Sequence, residues 1–229
     1  MNRFRYDSDV QIRFPDLATA VVTITDVDNT IDPPDLTTEI ATQTDAVRRR
    51  LAEQPVAEMP SITAWRRVFT SFGTKPTRYR NAAEALLRRI GGQNDLPALN
   101  PLTDLANLVS ISHAVPVAVF DLDAVAGTIS VRFASGTEQF HGVGTDEVST
   151  PDAGEVIFVD DAGTIHARRW CWRQSNAGAT KGSTTSALAI IEAHHPGAAD
   201  SVREAATDLA DLVHRHLPGV TTAIETGPD

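Results

Sequence analysis

The spacing of apolar residues changes once along this 229-residue chain, from about 3.6 to 2, and no other feature restricts its fold as strongly. In the first half the intervals are helical. Leu36, Ile40, Val47 and Leu51 form one stripe, and Asp32-Pro33-Pro34-Asp35 reads as its start, with Asp as cap and Pro in the first turn. Ile62, Trp65, Val68, Phe69 and Phe72 form a second stripe that begins near Ser61 and is stopped by Gly73. The connector Lys75-Pro-Thr-Arg-Tyr-Arg80 leads to a third helix through Ala83, Leu86, Leu87 and Ile90. Leu102, Leu105 and Val109 mark a fourth after the Pro97–Pro101 loop.

Beyond these helices the period is that of strands. Val115–Phe120 and Ile129–Phe133 follow it, and Val156–Val159, apolar on both faces, is expected at the centre of a sheet. Thr164–Trp170 is the expected next strand, joined by a tight turn at Asp160–Gly163. Leu188–Ile191 fits a strand or a helix, with a strand preferred, and Ser201-x-x-Glu204 reads as a capping box opening a last helix with Val202, Ala206, Leu209, Leu212, Val213 and His216 on one side. Leu17–Val27 and Val220–Ile224 add a strand near each end. Helices mainly in the N-terminal half and strands after them, around one core, indicate an α/β fold with mixed or antiparallel sheets.

At 24.6 kDa the chain is expected to be a single domain over 1–229, long enough to bury roughly 70–75 % of its unfolded surface. A hydrophobic share of 41 % with 22 % charged residues excludes a disordered or collagenous chain. One cysteine, Cys171, excludes an intrachain disulfide, and no Cys/His spacing matches a zinc finger. The longest clean apolar run, Ala114–Phe120, is far short of the ~20 residues of a membrane span. The start lacks the apolar stretch of a secretory signal, so a cytoplasmic location is expected. Dinucleotide, phosphate-loop and nucleophile-elbow signatures are missing.

Thirty acids against twenty bases give a net charge of −10, which by itself speaks against a polyanionic partner. The distribution fits a polyanion that touches one face only, or else two solvated helix faces and a loop. Arg66–Ile90 holds seven bases and one acid, and Ala162–Gly182 four bases and no acid, so the remainder carries −20. Charges are screened beyond ~8–10 Å, so a polyanion senses the local field rather than the sum. Lys75, Arg78 and Arg80 are the candidate phosphate contacts, with Tyr79 as a stacking face.

The second basic zone contains Ala167-Arg-Arg-Trp-Cys-Trp-Arg-Gln-Ser-Asn176. Arginines interleaved with tryptophans supply stacking faces and bidentate donors, the other reading being an amphipathic edge strand with its tryptophans in the core. Continued strand alternation would place Arg169, Cys171 and Arg173 on one face and Trp170 and Trp172 on the other. Gln174, Ser175 and Asn176 would follow as neutral groups able to orient a ligand. Asn100 and Asn107 are further candidates, although asparagines at helix starts also serve as ordinary caps. Arg132, opposite in phase to Ile129, Val131 and Phe133, is a candidate to point into a cleft, the other reading being a solvent-facing arginine.

Six stretches in order resemble one family. They are Ile62–Ile90, Asn100-Pro-Leu-Thr-Asp-Leu-Ala-Asn107, Pro116-Val-Ala-Val-Phe-Asp-Leu-Asp123 with Gly127, Val131-Arg132-Phe-Ala134, Gly154-Glu155-Val-Ile-Phe-Val-Asp160 and Arg168-Arg-Trp-Cys-Trp-Arg-Gln-Ser175. Together they look like the tRNA-editing module of the bacterial phenylalanyl-tRNA synthetase β subunit in free-standing form, over about 61–191, with looser flanks at 1–60 and 192–225. The resemblance implies a three-layer ββα sandwich and no metal or organic cofactor. It implies tRNA or aminoacyl-tRNA, rather than DNA or a membrane, as partner. The implied activity is an aminoacyl-tRNA deacylase that hydrolyses mischarged tRNA in trans, without ligase activity; the alternative is a non-catalytic module that binds tRNA or an amino-acid-like ligand. Arg173 and Ser175 are then the catalytic candidates, as donors to the developing oxyanion, and Asn100, Asn107, Arg132, Trp170, Gln174 and Asn176 the substrate-binding ones. The sequence departs from the family where the synthetase carries a pocket histidine, since Pro116–Asp121 has none, and where it carries a glutamate, near Ser175. All of this requires the end of the tryptophan strand and the basic connector to border one hollow.

Overall fold

The computed structural model describes residues 3–145 and 147–227. Two sheets and a helical layer stack in that order. The first sheet runs β1-β4-β7-β8-β9, where β1 is Phe4–Tyr6, β4 Ile129–Phe133, β7 Val156–Val159, β8 Ile165–Arg168 and β9 Arg173–Gln174. It is mixed because β1 pairs parallel with β4 while the other pairs are antiparallel. The second sheet, antiparallel throughout, runs β11-β2-β10-β3, with β2 at Ala18–Thr25, β3 at Val117–Asp121, β10 at Ala187–Ala193 and β11 at Thr221–Thr226. A small hairpin of β5 (Phe140–His141) and β6 (Val148–Ser149) leaves the first sheet. The helices are α1 (Ser8–Arg13), α2 (Leu36–Glu53), α3 (Pro60–Ser71), α4 (Ala82–Gly91), α5 (Pro101–His113) and α6 (Ala198–His216).

The second sheet is the middle layer, and β10 shows why: all seven of its residues are buried. Ala187, Ala189, Ile191 and Ala193 face α5 and α6, packing with Leu105, Val109, Val202 and Leu209. The alternate residues Leu188 and Ile190 meet Ile129, Val131, Phe158 and Ala167 of the first sheet. Small residues on the helix side let α6 lie close to the strands. A third cluster, with Val47, Ile62, Leu87, Ile90 and Leu108, joins the helices to one another. The expected ββα sandwich is therefore observed, as are the four helical stripes and the central strand at 156–159.

Several boundaries differ from expectation, each for a local reason. Phe4–Tyr6 and Ser8–Arg13 are both too short to show a period in the sequence; β1 is held by its pairing with β4, Phe4 opposite Ile129. Asp35, not Asp32, stands at the cap of α2, and no side chain caps it. The Ser201–Glu204 box does not open α6. Gly197, at φ 82°, admits the chain to the helix at Ala198, so Ser201 already lies in the first turn and its N–H donates to the Gly197 carbonyl at 3.1 Å. No helix of the described residues is long and apolar enough to cross a membrane.

Candidate functional site

The site is built on Glu155, a 3 % exposed carboxylate at the entry to β7. Arg168 donates to it through Nε at 2.9 Å and Nη2 at 2.8 Å, and the Arg169 N–H donates at 2.8 Å. These bonds end β8 and bend the chain sharply. Arg169 and Trp170 both take left-handed φ angles, 44° and 58°, which non-glycine residues adopt at a cost of order 1 kcal/mol each. The expected strand through Trp170 is therefore replaced by a turn over 169–172, and the alternation that put Arg169, Cys171 and Arg173 on one face does not exist. Trp170 instead enters the core with no exposed surface. Its N–H donates to the Val156 carbonyl at 2.7 Å and its indole Nε1 to Glu192 at 2.8 Å, and its ring meets Trp65, Phe14 and His194 edge-on. A ring enclosed in this way packs; it does not face a ligand.

Trp172 is the tryptophan that the turn leaves at the surface, half-buried. Beside it stands Tyr79 of the basic connector, with ring centroids 4.8 Å apart at 79°. The Arg169 guanidinium lies 3.9 Å from the Tyr79 centroid and 5.1 Å from that of Trp172; Arg78 covers Tyr79 at 5.0 Å, and Arg173 is 6.0 Å from Trp172. These residues form a ladder of alternating cations and aromatic faces. The Ala82 N–H donates to the Cys171 carbonyl at 2.9 Å, tying the start of α4 to the turn. The two basic segments thus meet, and they do so by stacking of these rings and guanidinium groups. Cavities of about 670, 620 and 270 Å³ open elsewhere, lined by none of residues 75–80 or 170–176.

The field around the ladder is weaker than the base count implies. Glu84, fully buried on α4, accepts from Arg66 at 2.8 Å and from Arg88 at 2.8 Å, with Arg80 3.9 Å away. Arg169 is paired with Asp152 at 3.2 Å. Lys75, Arg78 and Arg173 remain exposed and unmatched by an acid among the described residues, and Arg80 is only loosely held.

The other expected residues fall into separate groups. Asn100 caps α5, accepting from Thr103 N–H at 3.1 Å and from Asn29 at 3.0 Å while donating to the Thr180 carbonyl at 3.2 Å. Asn107 is half-buried further along α5. Arg132, two strands away from β8, is held by Glu138 at 2.8 Å and by the Phe133 carbonyl at 2.8 Å. Burial works against the Glu138 charge, but the Ser135 N–H and Arg132 outweigh it and hold the carboxyl at about 2. Gln174 donates to the Val119 carbonyl at the edge of β3, and Asn176 bonds the β5–β6 hairpin through the His141 carbonyl.

Ser175 is 1 % exposed, and its N–H donates to the His166 carbonyl at 2.8 Å. It lies one residue beyond the Ala167–Gln174 pair, so Ser175 and His166 are cross-strand neighbours on one face. Among the described residues Ser175 Oγ and His166 Nδ1 both lack a hydrogen-bond partner, and His166 Nε2 is 3.1 Å from Asp160 Oδ2. Burial opposes the Asp160 charge, but N–H groups of Ala126 and Thr164, with His166, keep its carboxyl below the usual range. Gly178 backs this row: a side chain there would place Cβ 2.3 Å from His166 Nδ1. Sequence reasoning missed Glu155 as the anchor of the turn and Asp160 and His166 as neighbours of Ser175; Arg169 and Trp172 lay in the stretch it singled out but were assigned to opposite faces of a strand. Among the described residues no group of three His, Cys, Asp or Glu side chains converges as a metal site would require.

The B3/4 domain family model matches residues 64–218. No curated protein matches the sequence significantly. Among solved structures, the chain is similar to an N-terminal fragment of the phenylalanyl-tRNA synthetase β subunit from Pyrococcus horikoshii, at 13 % identity and a TM-score of 0.49. That similarity covers 99 % of this chain and 54 % of the other, so the chain spans about half the length of that fragment.

Proposed function

Because the chain belongs to the B3/4 domain family, and is thus a relative of a module of the phenylalanyl-tRNA synthetase β subunit, we propose that it binds tRNA through the ladder of Arg78, Tyr79, Arg169, Trp172 and Arg173. The observation that carries this is the contact of the two basic segments. Two half-buried rings are held at fixed angles by guanidinium groups, with Lys75, Arg78 and Arg80 around them. Unpaired bases stack on such rings, and phosphates take the exposed cations. The partner is tRNA or aminoacyl-tRNA in the cytoplasm. Exchanging Lys75, Arg78 and Arg80 for alanine is expected to weaken tRNA binding. It also flattens the log–log salt dependence by about 0.7–0.9 for each phosphate that is no longer neutralised. An unchanged slope in the triple variant excludes this face.

The row Ser175, His166 and Asp160 favours a second reading, hydrolysis of mischarged aminoacyl-tRNA in trans. Asp160 orients His166 through Nε2 and leaves Nδ1 as a base on the same face as Ser175, but the hydroxyl is not bonded to it, so activation of Ser175 as a nucleophile needs a shift that brings the two into contact. Arg173 follows the turn as a donor for an oxyanion. The row is sealed in this conformation, so turnover requires the segment after Ser175 to part from it. Deacylation of a panel of charged tRNAs by the wild type and by Ser175→Ala decides: tRNA binding without turnover on any member leaves the binding function alone.

A further inference from the structure

We propose that the groove between α2 and the segment leading into α5 binds a small apolar amine. Its volume, about 620 Å³, lies within the usual range of ligand pockets. Ile40, Thr44 and Arg48, spaced by four, share the face of α2 that forms one wall. Leu96, Pro97 and Leu99 form the other, and Leu99 stands 64 % exposed at the rim, an apolar side chain with nothing over it.

The charges select the ligand. Asp32, Asp45, Asp95 and Asp104 line the groove against a single cation, Arg48. That guanidinium is already used, bridging Asp45 and Asp95 at 2.9 Å each. The Leu99 N–H donates to Asp104 at 3.0 Å. Asp32, exposed at the mouth, has no cationic partner among the described residues. An anion is therefore repelled, whereas an ammonium group meets uncompensated negative charge beside an apolar wall.

Thr44 gives independent support. Threonines inside helices commonly donate to the carbonyl four residues back, and Thr42, Thr70 and Thr207 do so here, to Thr38, Arg66 and Arg203. Thr44 does not. It is 3 % exposed, sits on the groove face of α2, and its hydroxyl has no partner among the described residues. A buried hydroxyl free to accept a hydrogen bond suits an ammonium donor.

The test compares 2-phenylethylamine with 2-phenylethanol and 3-phenylpropionate by calorimetric titration of the full chain. The amine is expected to bind at least about threefold more tightly than the alcohol, and the carboxylate least well. Ala41 is an exposed residue of the groove wall, so Ala41→Trp fills the space with little risk to folding and is expected to abolish amine binding while leaving tRNA affinity unchanged. Asp32→Asn should shrink the preference for amine over alcohol, and Thr44→Val should weaken the amine. Absence of saturable amine binding, equal affinity for the carboxylate, or amine binding that survives Ala41→Trp would each overturn the proposal.

Discussion

Glu155→Ala is expected to destabilise the protein by about 3–5 kcal/mol, the range observed when one partner of a buried ion pair is removed. The carboxylate is 3 % and Arg168 5 % exposed, so the guanidinium left behind can neither reach water freely nor find another anion. Its remaining bonds, to Ser149 and the Thr150 carbonyl, are to neutral oxygens. The same substitution removes the acceptor of the Arg169 N–H, which helps keep two consecutive left-handed residues in place. Without it the chain relaxes toward the extended form that its composition prefers, and Trp170 leaves its packing. Urea denaturation reads the loss as a lower midpoint. Glu155→Gln keeps an acceptor and should fall between the two. A midpoint within error of the wild type in Glu155→Ala would show that the turn is held by something else.

Glu192→Gln is expected to act in the opposite direction, increasingly as pH rises from about 4.5 to about 7. Glu192, on β10 between the two sheets, is 1 % exposed, and burial pushes its carboxyl up to about 7 from an ordinary 4.5. The Tyr6 hydroxyl at 2.6 Å and Trp170 Nε1 at 2.8 Å both donate to Oε1 and offset only part of that penalty. Because the folded form holds its proton more tightly than the unfolded one, the stability linked to this group is complete below pH 4.5. It is lost as pH rises to about 7, by about 3 kcal/mol in all. Glutamine retains the oxygen that accepts both bonds and carries no charge. The variant should therefore match the wild type near pH 4.5 and exceed it by up to about 3 kcal/mol at pH 8. Urea midpoints at the two pH values check this; an equal difference at both would mean that Glu192 does not titrate on unfolding.

The layers were legible because burial on both faces leaves a clear mark: Val156–Val159 reads as a central strand without any knowledge of its neighbours. The helical stripes were legible for the same reason, since Trp65 and Phe69 or Leu87 and Ile90 recur at intervals that only a helix places on one side. What could not be read was conformation imposed from a distance. Nothing in Arg168-Arg-Trp-Cys-Trp-Arg announces two left-handed residues; they are held by Glu155, thirteen positions earlier than Arg168, and the alternation rule consequently assigned the two tryptophans to one face. The burial of Trp170 and the exposure of Trp172 follow from that single bend. Asn100 was legible as a cap, yet its bonds to Asn29 and Thr180 join segments about 70 and 80 residues away. The neighbourhood of Ser175 and His166 depends on a strand pairing too short to show a period.

The placement of the tryptophans also makes the central claim directly measurable. Trp65 and Trp170 have no exposed surface, while Trp172 stands half-buried in the ladder beside Tyr79. A base that stacks on Trp172 quenches its emission and leaves the two core indoles unaffected. Titration of the protein with tRNA, followed by tryptophan fluorescence, should show saturable quenching in the wild type. In Trp172→Phe the quenching disappears while measurable, weaker binding persists. Saturable tRNA binding without any change in emission, or quenching retained in Trp172→Phe, would contradict the account.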